Sequence, residues 1–156
     1  MDLKTETLDI ARALEQEKID YAYCGAVALA IHGFPRATKD IDILIPPENL
    51  ECARRALANL TYDLDAGFIP FDTGSPNARK IFRTSRAEGH TLITIDLILV
   101  SDVFHSIWKD REWFELDDQI LRVVSRDGLI AMKRIANRPQ DRADIATLEG
   151  IGGPGE

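Results

Sequence analysis

The chain has 156 residues, of which 45% are hydrophobic and 29% charged, with a formal net charge of −7. This composition is typical of a soluble globular domain, and no apolar run approaches the roughly 18 residues that a membrane-spanning helix needs. The acidic charge argues against sequence-independent binding to long nucleic acid, because that affinity comes mainly from Lys and Arg on phosphates. We expect a single domain over residues 1–150 and a disordered tail over 151–156. Because the N-terminal residues lack an apolar secretory signal, we also expect a cytoplasmic location and no membrane partner.

The first half of the chain predicts alternating helices and strands. Leu8, Ala11 and Leu14 lie at helical spacing, and Gly33 followed by Pro35 is typical of a helix end. Alternating apolar residues predict a strand over 40–45, and Pro46 and Pro47 open the next helix. The predicted elements are a helix over 7–18, a strand over 21–25, a helix over 26–32, a strand over 40–45, and a helix with the apolar stripe Leu50, Ala53, Leu57 and Leu60.

The second half predicts a hairpin and closing helices. Gly, Pro, Asp and Asn residues over 67–77 indicate a loop, and two alternating runs over 79–85 and 91–100 predict an antiparallel pair. The stretch with Phe104, Trp108, Trp113 and Phe114 gives no clear element. A short strand over 121–124, a helix capped by Ser125 and a helix from Pro139 to about Leu148 complete the set. The fold class is therefore α/β (α+β), with a mixed sheet, helices packed mainly on one side, and C-terminal helices.

Several other residues have structural interpretations. Cys24 and Cys52 have no metal-ligand spacing and are expected to be reduced core thiols. Trp108 and Trp113 are expected to fill the core or an interface. Local surface ion pairs among Arg138, Asp141 and Asp144 are expected around the last helix.

Three aspartates lie in predicted strands. Asp40 and Asp42 share one face of the segment KDIDILI, and Asp96 lies in the otherwise apolar segment LITIDLILV. A carboxylate in a central strand costs several kcal/mol of effective desolvation unless it has a partner. Convergent carboxylates are hard ligands that suit Mg²⁺, so these three residues predict a two-metal phosphoryl-transfer or nucleotidyl-transfer site.

Two further features indicate an anionic ligand. A helix that begins directly after a strand at Gly25 offers backbone N–H groups to phosphate oxygens. Arg79, Lys80, Arg83 and Arg86 form a basic strand, which fits a small anionic ligand better than a duplex.

The segments GAVALAIHGFPRATKDIDILI and TIDLI resemble the DNA polymerase beta-type nucleotidyltransferase superfamily, in particular its small bacterial members, the abortive-infection toxin-like and minimal nucleotidyltransferases. The family pattern is G-[GS], then D-x-[DE] about a dozen residues later, then a third acidic residue on another strand. Gly25, Asp40, Asp42 and Asp96 match it. The segment SRDGLIAMKRIANRPQDRADIATL resembles the family's closing helices.

The resemblance implies a nucleoside triphosphate such as ATP as substrate, two Mg²⁺ ions, and a hydroxyl acceptor in a partner protein, a tRNA or a small molecule. A toxin–antitoxin pair is one context that it implies. It implies catalytic and metal-binding roles for Asp40, Asp42 and Asp96. It also implies phosphate contacts from the backbone at Gly25 and Ala26 and from Arg36, Thr38 and Lys133. A cognate partner chain or a homo-oligomer is a further expectation.

Ala26 departs from the pattern, which has Gly or Ser there. Two alternatives therefore stay open: a non-catalytic nucleotide-binding or interaction module, and a metal-dependent phosphohydrolase that uses the same carboxylates on water. A P-loop kinase is disfavoured because the sequence contains no G-x-x-x-x-G-K-[ST].

Overall fold

The structure, a computed structural model, describes residues 1–150, so the predicted tail over 151–156 lies outside the described residues. The helices are α1 (Leu3–Gln16), α2 (Gly25–Ile31), α3 (Leu50–Ala58), α4 (His105–Lys109), α5 (Arg126–Ala136) and α6 (Pro139–Leu148). The strands are β1 (Ala22–Cys24), β2 (Asp40–Ile45), β3 (Leu64–Phe71), β4 (Arg79–Glu88), β5 (Thr91–Leu99), β6 (Glu112–Leu116) and β7 (Gln119–Val123). None of the helices within residues 1–150 has the length and apolarity needed to cross a membrane.

All the strands form one seven-stranded sheet in the order β3-β4-β5-β2-β1-β7-β6. The pairs β2/β5 and β1/β7 are parallel, and the other neighbours are antiparallel. The predicted mixed α/β fold and the predicted hairpin of β4 and β5 are confirmed.

One face of the sheet carries most of the apolar core. Tyr23, Ile43, Leu97 and Phe82 lie in one cross-strand row, and all are buried. Each side chain buried in this way contributes about 2 kcal/mol relative to exposure. The α1 and α3 helices cover this face: the Tyr23 hydroxyl donates to the Thr7 carbonyl at 2.7 Å, and a guanidinium on α3 stacks on Phe82. The opposite face of the same strands is left for polar groups.

The first helix starts earlier than its apolar spacing predicts. An Asp2 carboxylate oxygen accepts a hydrogen bond from the Lys4 backbone N–H at 3.2 Å, which caps the helix so that α1 begins at Leu3 rather than at residue 7. At the other end Lys18 has a left-handed φ of 57° and redirects the chain. The predicted boundaries were therefore wrong by a few residues at each end.

The predicted loop over 67–77 was wrong in its first five positions, which belong to the edge strand β3. Gly67, with φ +84°, lies at a register shift in the pairing with β4, and Pro70 pairs opposite Lys80. An edge strand tolerates both residues, because it has one unpaired side and can bulge. The prediction of a loop was wrong because Gly and Pro are more often found in turns than in strands.

The aromatic stretch forms a 3₁₀ turn over Asp102–Phe104, helix α4 and the edge strand β6. Trp108 is partly buried against the core, as expected. Trp113, by contrast, is 67% exposed, with the Arg122 guanidinium 4.8 Å from its ring centroid, so the core expectation was wrong. Cys24 and Cys52 are both free, but Cys52 is exposed on α3 instead of buried.

Candidate active site

Two of the three predicted aspartates lie side by side at the centre of the sheet. Asp42 on β2 is directly paired with Asp96 on the parallel neighbour β5. Asp40 lies on the same face of β2, two residues before Asp42 and roughly 7 Å along the strand, where it is exposed. Strand alternation, which the sequence predicted, therefore directs all three carboxylates to one face.

Asp42 has no ion-pair partner among the described residues. Burial, followed by the negative charges of Asp96 and Asp40, raises the pKa of Asp42 to about 7. Burial and the charge of Asp42 also raise the pKa of the adjacent Cys24 thiol, which keeps that thiol protonated and unreactive. An added cation would stabilise the charged form of a carboxylate in such surroundings. The position of Asp42 therefore suits a ligand of a divalent metal ion.

Asp96 already has a cationic partner. Arg83 on β4 donates from Nε to Asp96 Oδ1 at 2.8 Å and from Nη2 to Oδ2 at 3.0 Å. This bidentate pair raises the pKa of Arg83. Within residues 1–150 no group of three or more His, Cys, Asp or Glu side chains is already arranged around a metal position. The carboxylates are adjacent, but the oxygens of Asp96 are directed at a guanidinium.

Gly25 is required by close approach to Asp42. Its φ is +57°, and a Cβ at this position would lie 2.2 Å from Asp42 Oδ2. The chain turns here from β1 into α2, so the predicted strand-to-helix switch is present. Any side chain would displace the carboxylate, which gives a physical reason for glycine that the sequence pattern alone did not contain.

Arg36 and Lys133, both predicted to contact phosphate, are hydrogen-bonded to Asp144. Arg36 Nη1 lies 2.7 Å from both carboxylate oxygens of Asp144, and Lys133 Nζ lies 2.9 Å from Asp144 Oδ2. We call these three residues the Asp144 cluster. Burial opposes ionisation of Asp144, but hydrogen bonds from Lys133, Gln140 and Arg36 outweigh it and lower the Asp144 pKa.

The ion pairs predicted near the last helix are present, but their carboxylates are buried and do not lie on the surface. Asp141 pairs with Arg138 at 2.7 Å and closes a capping box at the start of α6, as expected locally. Asp141 and Asp144, however, are only 2% and 6% exposed, because α5 packs over them and buries Lys133 as well. Helix packing, which local spacing does not report, makes this a buried network.

Thr38 organises the start of β2. Its Oγ1 accepts a hydrogen bond from the Asp40 backbone N–H at 3.1 Å, which fixes the turn before the first aspartate. The role predicted from the resemblance was a phosphate contact, and the hydroxyl lies in the same cavity as the carboxylates.

Every predicted site residue lines one cavity of about 450 Å³. Its lining includes Gly25, Ala26, Arg36, Thr38, Asp40, Asp42, Asp96 and Lys133. It also includes residues that were not predicted as site residues: Phe71, Arg79, Arg83, Phe104, Met132, Arg138, Gln140 and Asp141. The basic strand predicted from the sequence could have indicated Arg79 and Arg83 as site residues. Phe71 could not be found in this way, because its segment was predicted as a loop.

Neither a family model nor a curated protein matches the sequence. Solved structures do match the fold. The lincosamide antibiotic adenylyltransferase LnuA, solved with lincomycin bound, superposes with a TM-score of 0.60 at 16% identity, over 97% of this chain and 98% of its own. This chain has a nucleotidyltransferase fold.

Two more nucleotidyltransferase-fold structures agree. A candidate nucleotidyltransferase from Thermotoga maritima gives a TM-score of 0.62 at 14% identity, over 94% of this chain and 91% of its own. The antibiotic-resistance factor ANT(2″)-Ia gives 0.60 at 14% identity, over 96% of this chain and 83% of its own. The resemblance to nucleotidyltransferases expected from the sequence is thus confirmed at the level of the fold.

Proposed function

We propose that the protein is a metal-dependent nucleotidyltransferase that transfers a nucleoside monophosphate from a nucleoside triphosphate to a hydroxyl group. The observation that carries this proposal is the pairing of Asp42 with Asp96 on adjacent parallel strands, at the wall of the cavity that Gly25 also lines. The shared fold supports the same reaction class.

Asp40, Asp42 and Asp96 would hold two Mg²⁺ ions, which supply charge stabilisation to the phosphates and to the attacking oxygen. The raised pKa of Asp42 supports this assignment, since burial and the negative charges of Asp96 and Asp40 outweigh the cations Arg138 and Lys133. The acceptor hydroxyl releases its proton to solvent as its oxygen attacks the α-phosphorus, the bond from that phosphorus to the oxygen that bridges it to the β-phosphorus breaks, and pyrophosphate leaves.

The remaining lining divides into two parts. Backbone N–H groups at Gly25 and Ala26, with the side chains of Thr38, Arg36 and Lys133, offer donors to the triphosphate. Ile81, Ile98 and Phe104 provide an apolar wall beside Asp96. We assign the first part to the nucleotide phosphates and the second to the acceptor.

A small-molecule acceptor is the version we favour. The cavity volume of about 450 Å³ falls in the range of small-ligand sites. ANT(2″)-Ia has also been solved in complex with adenylyl-2″-tobramycin, and that structure matches this chain with a TM-score of 0.58. A protein or tRNA acceptor, as in a toxin–antitoxin pair, is the competing version.

The test is incubation of the protein with each α-labelled nucleoside triphosphate and Mg²⁺, with and without cell extract. We expect a labelled small molecule, and no label with Asp40→Asn/Asp42→Asn, while the exposed-site control Asp63→Asn keeps wild-type activity. Labelled tRNA or protein would support the toxin–antitoxin version. Free monophosphate without a labelled acceptor would establish a phosphohydrolase and overturn the proposal.

One observation favours a non-catalytic nucleotide-binding module. Arg83 neutralises Asp96, and Ala26 stands where the family pattern has Gly or Ser. Such a module would bind nucleotide in the labelling experiment but release no pyrophosphate.

A further inference from the structure

Arg83 occupies the oxygens that a metal ion would need. It lies directly opposite Asp96 in the β4/β5 ladder, and its guanidinium engages both carboxylate oxygens at 2.8 and 3.0 Å. Among the residues that the structure describes, it is the one cationic side chain paired with Asp40, Asp42 or Asp96. A metal that takes the lone pairs now used by Arg83 must therefore displace the guanidinium.

The pair is not needed to join the two strands. The β4/β5 ladder runs without interruption from Ile81 opposite Ile98 to Glu88 opposite Thr91. The Arg83 side chain is 42% exposed whereas that of Asp96 is 11% exposed. The guanidinium can thus leave and stay solvated, but the carboxylate cannot.

Within residues 1–150, each other cation that lines the cavity already has a carboxylate partner away from Asp96. Lys133 and Arg36 pair with Asp144, Arg138 pairs with Asp141, and Arg79 pairs with Asp72. When Arg83 leaves Asp96, an incoming metal is the remaining source of positive charge for that carboxylate. The released guanidinium stays in a cavity that, by the proposed function, also receives a triphosphate.

We propose that Arg83 is a displaceable counterion: it holds Asp96 in the metal-free protein, yields Asp96 to a divalent cation, and then binds a phosphate oxygen of the nucleotide. This inference rests on the proposed function. It makes Arg83 a positioning residue in the metal-free state and a substrate contact in the loaded state, with metal and nucleotide binding coupled through one side chain.

The test measures Mn²⁺ binding to the nucleotide-free protein by electron paramagnetic resonance. Because a charge-assisted bidentate pair must be broken in the wild type, Arg83→Gln is expected to bind Mn²⁺ about tenfold more tightly. Arg83→Lys keeps the charge but loses the planar fork, so its Mn²⁺ affinity should lie between those of wild type and Arg83→Gln.

Arg79→Gln is the matched control. Arg79 lines the same cavity and its removal changes the charge equally, but its guanidinium pairs with Asp72. We expect Arg79→Gln to leave Mn²⁺ affinity within about twofold of wild type, since the Arg79 guanidinium is neutralised by Asp72 and makes no ion pair with Asp40, Asp42 or Asp96. Equal gains in Arg79→Gln and Arg83→Gln would overturn the proposal, because a general field effect would then explain both.

Nucleotide binding gives a second readout. In EDTA, a non-hydrolysable triphosphate analogue should bind wild type and Arg83→Gln equally, because Arg83 is still on Asp96. At saturating Mg²⁺ the analogue should bind Arg83→Gln several-fold more weakly, in line with one lost charge-assisted contact. A loss of equal size in both conditions would contradict the proposed exchange.

The outcomes separate this inference from the proposed function. Unchanged or weaker Mn²⁺ binding in folded Arg83→Gln and Arg83→Lys, or no Mn²⁺ binding in any variant, overturns the counterion role even if labelled acceptor forms. Tighter Mn²⁺ binding in a protein that labels no acceptor supports the counterion role and overturns nucleotidyl transfer. Circular dichroism spectra confirm that each variant is folded.

Discussion

At the scale of single residues, Asp42 sets the electrostatics of the site. Its carboxyl group is half-buried, beside two other aspartates, and is not in contact with Arg83. The charged form of Asp42 is therefore unfavourable in the metal-free protein, and Asp42 is retained at a cost to stability. Residues of this kind are typical of functional sites.

The replacement Asp42→Asn should stabilise the metal-free protein above pH 7 by about 2 kcal/mol. The pKa of Asp42 is about 7 in the folded state against 3.8 for an ordinary aspartate. Between these values the folded state holds a proton that the unfolded state has released, so the contribution of Asp42 to the unfolding free energy falls as pH rises. Urea denaturation in EDTA at pH 5 and pH 8 measures this, with Asp63→Asn as the control.

If the difference in unfolding free energy between Asp42→Asn and wild type does not widen from pH 5 to pH 8, the pKa of Asp42 is not raised in the folded protein.

The second prediction at this scale concerns Gly25. Gly25→Ala should destabilise the fold by about 3 kcal/mol and abolish nucleotide binding, because its Cβ would lie 2.2 Å from Asp42 Oδ2. Gly33→Ala is the control: its φ is also positive, at +107°, but no atom lies within 4 Å of the added Cβ. It should cost only about 1 kcal/mol of backbone strain. Thermal denaturation and equilibrium dialysis with labelled nucleotide would show both effects, and equal losses in the two variants would contradict the steric argument.

At the scale of elements, the Asp144 cluster joins the loop before β2 to α5 and α6. Asp144, on α6, accepts hydrogen bonds from Lys133 on α5 and from Arg36 in the loop. The closing helices therefore border the cavity with buried ion pairs and not only with apolar contacts. Their position relative to Asp40 and Asp42 depends on charges that the sheet itself does not supply.

Asp144→Asn should destabilise the protein by about 3 kcal/mol at pH 7, because it leaves Lys133 buried with only Asp141, at 3.9 Å, as a counterion. Since the pKa of Asp144 is lowered in the folded state, this contribution is present above pH 3.8 and is lost as pH falls through the folded-state value. Urea denaturation at pH 7 and at pH 3 compares the two conditions.

Glu149→Gln provides the matched comparison. The Arg134–Glu149 pair, at 2.9 Å, connects α5 to the residue that follows α6, but both side chains are largely solvated. Its removal should cost less than about 1 kcal/mol. If the two variants lose equal stability, burial is not what makes the Asp144 cluster important.

At the scale of the whole molecule, the carboxylates lie on the most protected strands. The β2 and β5 strands are at the centre of the seven-stranded sheet, whereas β3 and β6 are at its edges. The β6 strand also exposes Trp113 and Phe114. A rigid centre would fix the spacing of Asp42 and Asp96, as the proposed nucleotidyl transfer requires.

Hydrogen exchange followed by mass spectrometry should reflect this arrangement. Amides of residues 40–45 should exchange only through global unfolding, while those of 112–116 should exchange through local opening with a free energy several kcal/mol lower. Equal protection of the two segments would show that the sheet opens as a unit and that its edges are not independently mobile.

The sequence by itself determined the central strands, the strand-to-helix turn at Gly25 and the face that carries Asp40, Asp42 and Asp96. These are local properties, because period-two alternation and glycine turns depend on neighbours along the chain. The same local reasoning failed where a boundary depended on other segments. Pro70 and Gly67 belong to an edge strand because β4 pairs with them, and Trp113 is exposed on the other edge strand, β6.

Only the tertiary structure decided which charges meet. Arg83 lies 13 residues from Asp96 and Arg36 lies 108 residues from Asp144, yet both pairs are in direct contact. A lysine on a helix is usually exposed to solvent, but Lys133 is buried because α6 packs against α5. A Coulomb interaction depends on separation and burial in three dimensions, so spacing along the chain can nominate the charged residues of a site but cannot pair them.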